Sequence, residues 1–179
     1  DLNEYKQKHA VVTEKRTLKE VMKDADVFIG VSVADCVTGD MIKIMNEYPA
    51  IFAMANPVPE IMPEIVKKIM GNKKYIMATG RSDYPNQINN VLGFPYIFRG
   101  ALDVKASTIS IGMKEAAANA LAEVARLKEI PEEVKKAYNR NFEFGKDYII
   151  PVPFDPRLLE IVSSKVAKAA VDEGINKKI

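Results

Sequence analysis

The stretch AIFAMANP at residues 50–57 is apolar without a break as far as Ala55 and then stops at Asn56 and Pro57. A strand with one wet face would alternate polar and apolar positions, whereas a continuous apolar run of this length fits a strand buried on both faces. The same pattern recurs on either side, as DVFIGVSV at 26–33 and KYIMATG at 74–80. Helical signals fill the gaps. Thr38 and Asp40 precede the amphipathic MIKIMNEY, and Pro63 sits where a first helical turn tolerates it. The run EIVKKIM then stops at Gly71, with Lys67 and Lys68 near the negative end of the helix dipole. Upstream, Thr17 and Glu20 have capping-box spacing and predict a short helix from about Leu18 to Asp24. Short apolar strands alternating with short helices indicate a doubly wound parallel α/β sheet, covered on both faces and joined by right-handed crossovers.

The remainder reads as helical. SIGMKEAAANALAEVARL follows the cap Ser110, and PEEVKKAYNRNFEFG opens with Pro131 and ends at Gly145. The last helix is capped by Asp155, carries Pro156 at its first position and is stopped by Gly174. Its apolar stripe is Leu158, Leu159, Val162, Val166 and Ala170. Before it, YIIPVPF is an extended apolar connector that needs a surface to pack on, and the final INKKI reads as a frayed tail.

Ligands of such sheets sit beyond the carboxyl ends of the strands. Here the ends carry Gly30 and Ser32, then Asn56 and Pro57, then Gly80, Arg81 and Ser82. Glycine, asparagine and proline also end strands for purely conformational reasons. A functional reading rests on three consecutive small or polar tips, followed by the amide-rich span 80–93 with Asn86, Gln87, Asn89 and Asn90. Gly80, Asp83, Pro85 and Gly93 read as backbone shapers of that loop. Arg81 and Arg99 read either as anion anchors or as halves of structural ion pairs.

Composition narrows the chemistry. Net charge is +2, with both signs interspersed along 179 residues, so no basic stripe marks nucleic acid as a partner. The charged opening DLNEYKQKHAVV has no signal-peptide core and no run reaches membrane-span length, so the expected location is cytoplasmic. His9 and Cys36 are the only histidine and cysteine and lie far apart, which argues against a zinc site and against a Ser-His-Asp or Cys-His nucleophile. Glu132 and Glu133 are paired carboxylates, but a helix start accounts for them. No G-x-G-x-x-G loop is present, so the usual phosphate cradle is missing and the α/β unit reads as incomplete.

ADVFIGVS, IFAMANPVPE, ATGRSDYPNQINNVLGFPYIFRGALDV and YIIPVPFDPRL together resemble the C-terminal half of the malic enzymes, in the shorter form typical of prokaryotes. The resemblance runs in order through nearly the whole chain. It implies a partial Rossmann-like doubly wound sheet followed by a helical C-terminal extension, with a cofactor-domain portion over 1–130 and an extension over 131–179 that packs on an N-terminal domain. It also implies oxidative decarboxylation of malate to pyruvate with NAD or NADP and Mg2+ or Mn2+, usually in a homodimer. The family's motifs place Asn56, Asn89 and Asn90 against malate, and Ser32, Gly80, Asn56 and Asn90 against the nicotinamide cofactor. An amide offers a donor and an acceptor and adds no charge that would compete with a metal.

The resemblance also assigns the catalytic tyrosine and lysine, the metal carboxylates and the glycine-rich loop to sequence upstream of Asp1. No catalytic and no metal-binding residue is therefore expected in this chain, and Asp1 is not expected to be the ribose-binding acid. The chain reads as starting mid-domain and as inactive alone. Where bacterial relatives continue after GVS with a turn containing proline and glycine, this chain has VADCVTGD, which changes the contacts expected around Ser32 to Cys36. A non-catalytic nucleotide-binding or regulatory α/β domain is the alternative, and a dimerisation module built on the terminal helices is a third reading.

Overall fold

The structure is a computed structural model and describes residues 3–177. After α1 (Glu4–Gln7) and α2 (Leu18–Met22), strands and helices alternate as β1 (Val27–Gly30), α3 (Gly39–Lys43), β2 (Ala50–Ala53), α4 (Pro63–Met70) and β3 (Ile76–Thr79). A 3-10 turn at Asn90–Leu92 leads into α5 (Phe94–Asp103), α6 (Ile111–Arg126), α7 (Glu132–Tyr138) and α8 (Arg157–Asp172). The expected capping box forms: Thr17 Oγ1 accepts from Glu20 N, and the Glu20 carboxylate accepts from Thr17 N. Helix α2 nevertheless ends at Met22, because Lys23 is extended and Asp24 adopts a φ of 59°. Pro63 opens α4, and Gly71 closes it at a φ of 55° that favours glycine.

The strands pair in parallel in the order β1-β2-β3, with Val27 opposite Ala50 and Ala50 opposite Ile76. Phe28, Ile51, Ala53 and Met77 face a core completed by Met22 from α2, Ile42 from α3, and Val66 and Met70 from α4. The expectation of a sheet covered on both faces fails at β1, where Val27 is 50% and Ile29 64% exposed. The cause is topological. Strands added in sequential order through crossovers of one hand place α3 and α4 on the same face, and β1 is an edge whose other face no described element covers.

The C-terminal helices form a second core. Met113, Ala117 and Val124 of α6 meet Leu158, Val162, Val166 and Ala170 of α8, with Leu92 and Ala101 closing it. Leu159, placed on that stripe from the sequence, is half-exposed, since it lies about 100° around the helix from Leu158. Helix α5, for which the sequence analysis named no element, follows directly on the amide-rich span, with Pro95 in its first turn. Helix α7 stops at Asn139 in the left-handed conformation rather than running to Gly145. Helix α8 starts one residue after the expected Pro156, and Asp155 Oδ1 accepts from Arg157 N.

A third cluster joins Ile130 and Val134 to Tyr148 of the connector, whose Phe154 is exposed. Ile175, expected to fray, is held by Ile175 N donating to Ala170 O and Ser107 N donating to Ile175 O. Asp1 and the last two tail residues lie outside the described residues. No helix among the described residues is long and apolar enough to cross a membrane.

Candidate functional site at the carboxyl ends of the strands

Beyond their last paired residues the strands stay in lateral contact. Met54 N donates to Gly30 O at 3.1 Å, and Ile88 N donates to Thr79 O at 2.7 Å. A Cβ built on Gly80 would stand 3.8 Å from Met54 O and 3.6 Å from Ile88 O, so the second and third tips lie side by side. Adjacent strands are about 5 Å apart, which brings the residues after β2 and β3 to one edge of the sheet.

The asparagines of this edge divide by what their amides touch. Asn86, buried at a φ of 55°, donates to Met77 O (2.9 Å) and Lys146 O (2.7 Å) and accepts from Ile149 N at 2.9 Å. It ties β3 to the C-terminal connector. Asn89 donates to Gly80 O at 3.2 Å and accepts from Val91 N at 3.1 Å, capping the 3-10 turn. Asn56 and Asn90 are exposed, and among the described residues their amide groups have no partner. Asn56 precedes a cis peptide bond to Pro57.

Ser32 is exposed beyond β1, with its Oγ 3.7 Å from Cys36 Sγ. The VADCVTGD segment folds back through Asp35 N to Pro59 O (3.1 Å) and Val37 N to Glu60 O (2.9 Å). Glu60, which the sequence reading did not single out, is fully buried there. Its Oε1 accepts from Ser32 N at 2.9 Å and its Oε2 from Ala55 N at 3.0 Å. The one signal for it was a charged residue between prolines and an apolar position in NPVPEIM.

Both candidate anion anchors are in ion pairs. Arg81 meets Asp83 through Nε (2.8 Å) and a terminal nitrogen (2.7 Å), and Arg99 Nε meets Asp103 Oδ1 at 2.7 Å. The hydrogen-bonded Arg81 guanidinium holds the Asp83 carboxyl below its ordinary range. Tyr84 donates to Glu64 Oε1 at 2.5 Å, which lowers the Glu64 pKa and raises that of Tyr84. His9 is exposed, and Glu132 pairs with Lys135 on its own helix. Among the described residues no group of three or more His, Cys, Asp or Glu is placed to hold a metal ion. A cleft of about 190 Å³ lies between Ser82–Gln87 and the 138–152 segment, and it includes neither Asn56 nor Asn90.

The edge thus offers two uncommitted amides, a serine and two glycines, a set suited to orienting a small polar molecule. Residues 2–136 match the family described as malic enzyme, NAD binding domain. The chain is 58% identical over 175 residues to a probable NADP-dependent malic enzyme of Rickettsia prowazekii, covering 97% of this chain and 22% of the relative. It is 56% identical to an NADP-dependent malic enzyme of Rhizobium meliloti, over 99% of this chain and 23% of the relative. The malic enzyme of Pyrococcus horikoshii superposes with a TM-score of 0.75 at 42% identity, over 90% of this chain and 33% of that one. The chain thus spans about a fifth to a third of the length of these relatives. With its parallel Rossmann-like sheet and matching sequence, the chain belongs to the malic enzyme family, within the NAD-binding domain.

Proposed function

We propose that this chain supplies the substrate- and nicotinamide-orienting part of an enzyme that oxidatively decarboxylates malate to pyruvate with NAD or NADP and a divalent metal. The observation that carries the proposal is the division among the asparagines. Asn86 and Asn89 are used up in holding the loop, while among the described residues Asn56, just beyond β2, and Asn90, in the 3-10 turn after β3, remain exposed with unpartnered amides. An exposed carboxamide can donate to a malate carboxylate or hydroxyl and accept from a nicotinamide carboxamide. Asn89 contributes by fixing the turn that presents Asn90, and Ser32 and Gly80 line the cofactor side.

The residues of this edge fit a nicotinamide: the exposed amides of Asn56 and Asn90 would hold its carboxamide and add no charge of their own. Bound nicotinamide would take up the hydride that leaves malate C2. No cluster of carboxylates suited to the metal gathers among the described residues, and in this reading the metal ligands, the acid and the base are supplied by an N-terminal part of the same enzyme. The extension from residue 131 is proposed to pack on that part, in a cytoplasmic homodimer that uses Mg2+ or Mn2+. The test is malate-dependent reduction of NAD or NADP with either metal. The complete protein is expected to turn over and form pyruvate, while the purified 179-residue chain does not. Metal-dependent turnover by the chain alone, or none by the complete protein, would contradict the reading.

A further inference from the structure

Among the described residues two carboxylates, Glu60 and Asp155, are buried, and they are treated differently. Asp155 is matched by Arg157, whose side chain embraces it. Glu60 is fully buried, and among the described residues no lysine or arginine pairs with it. A carboxyl group buried without a counter-ion is costly unless hydrogen bonds satisfy its oxygens. For Glu60 these come from two backbone amides on different strand extensions: Ser32 N at 2.9 Å to Oε1 and Ala55 N at 3.0 Å to Oε2. Both oxygens accept, so each carboxyl oxygen of this buried side chain is satisfied by the main chain of a different strand tip.

The surroundings accommodate this one side chain. A Cβ on Gly30 would stand 2.4 Å from Glu60 Cδ, so any other residue at the end of β1 would displace the carboxylate. The β1–β2 ladder stops at Gly30 and Ala53, and only Met54 N to Gly30 O continues it. Past that bond, the Glu60 side chain is the link that holds the backbone of Ser32 to the backbone of Ala55, the residue before Asn56.

We propose that Glu60 is a positioning residue: its carboxylate fixes the separation of the first two strand tips and so sets where Ser32 stands relative to Asn56. This rests on the function proposed above, in which Ser32 serves the cofactor and Asn56 the malate–nicotinamide junction. Glu60 touches neither ligand. A shift of one tip by about 1 Å at such a junction is enough to lower turnover about 100-fold.

The test uses the complete protein and the substitution Glu60→Gln, which keeps the size but points an NH2 at one of the two backbone N–H groups and so breaks one tie. The variant is expected to keep the wild-type circular dichroism and oligomeric state. Its kcat should fall about 100-fold with KM for malate changed by less than about threefold, and amide exchange at Ser32 and Ala55 should accelerate. A purely structural role would lower the folded fraction and leave kcat per folded molecule unchanged. That result, or wild-type kcat in a fully folded variant, would overturn the proposal. Should Glu60→Gln not fold, Gly30→Ala displaces the carboxylate without removing it and is expected to produce the same loss of kcat, with wild-type kcat again overturning it. An inactive wild-type protein would instead refute the function itself.

Discussion

Asn86 satisfies two carbonyls and one amide, on β3 and on the 146–149 stretch, while holding a left-handed φ of 55°. Alanine there would strand those buried groups and add backbone strain, so Asn86→Ala is expected to cost about 3 kcal/mol in urea unfolding. Asn56→Ala should change stability by less than about 0.5 kcal/mol, because an exposed amide with no partner adds nothing to the core. Tyr148 is a different case. Its hydroxyl is buried without a hydrogen-bond partner among the described residues, and burial pushes its pKa from 10.0 up to about 12. The unfolded chain therefore loses this proton first, and stability falls as pH rises from about 10 to 12, by roughly 2 kcal/mol. Tyr148→Phe should remove that share of the alkaline loss and leave neutral-pH stability unchanged or higher, as read from urea midpoints at pH 7 and pH 11.

Helices α5 and α8 meet at Gly100, where a Cβ would stand 2.4 Å from Ser163 O and 2.8 Å from Val166 Cβ. Gly100→Ala is expected to destabilise by about 1–3 kcal/mol, since neither a backbone carbonyl nor a branched residue inside a helix can move aside cheaply. A thermal midpoint equal to wild type would show that the two helices can separate without cost. The sequence showed the strands plainly because each is a continuous apolar run between helix caps. It hid α5 because Gly93 and Pro95 look like loop punctuation, although proline in a first helical turn is also a start signal. Glu60 was illegible for another reason: its partner Ser32 lies 28 residues away, and a lone carboxylate carries no periodic signal.

The two main cores divide the molecule into a three-stranded sheet layered with α2, α3 and α4, and a bundle of α5, α6 and α8. One side of the sheet ends in exposed Val27, Ile29, Val31 and Val33. An unpaired apolar edge of this kind associates readily. The 179-residue chain alone is therefore expected to sediment as oligomers, and Ile29→Lys should shift it towards monomer. A wild-type chain that stays monomeric at high concentration would count against this. The sequence foretold the parallel sheet and its three polar tips. It could not tell which amides were spent on the loop, because that depends on contacts such as Asn86 to Lys146 that span 60 residues.

The central claim is that Asn56 and Asn90 orient malate and nicotinamide. Steady-state kinetics of the complete protein carrying Asn56→Ala or Asn90→Ala test it most directly. In each variant kcat/KM for malate is expected to fall by the equivalent of about 2 to 4 kcal/mol, with the unfolding midpoint unchanged. Wild-type kinetics in both variants would contradict it.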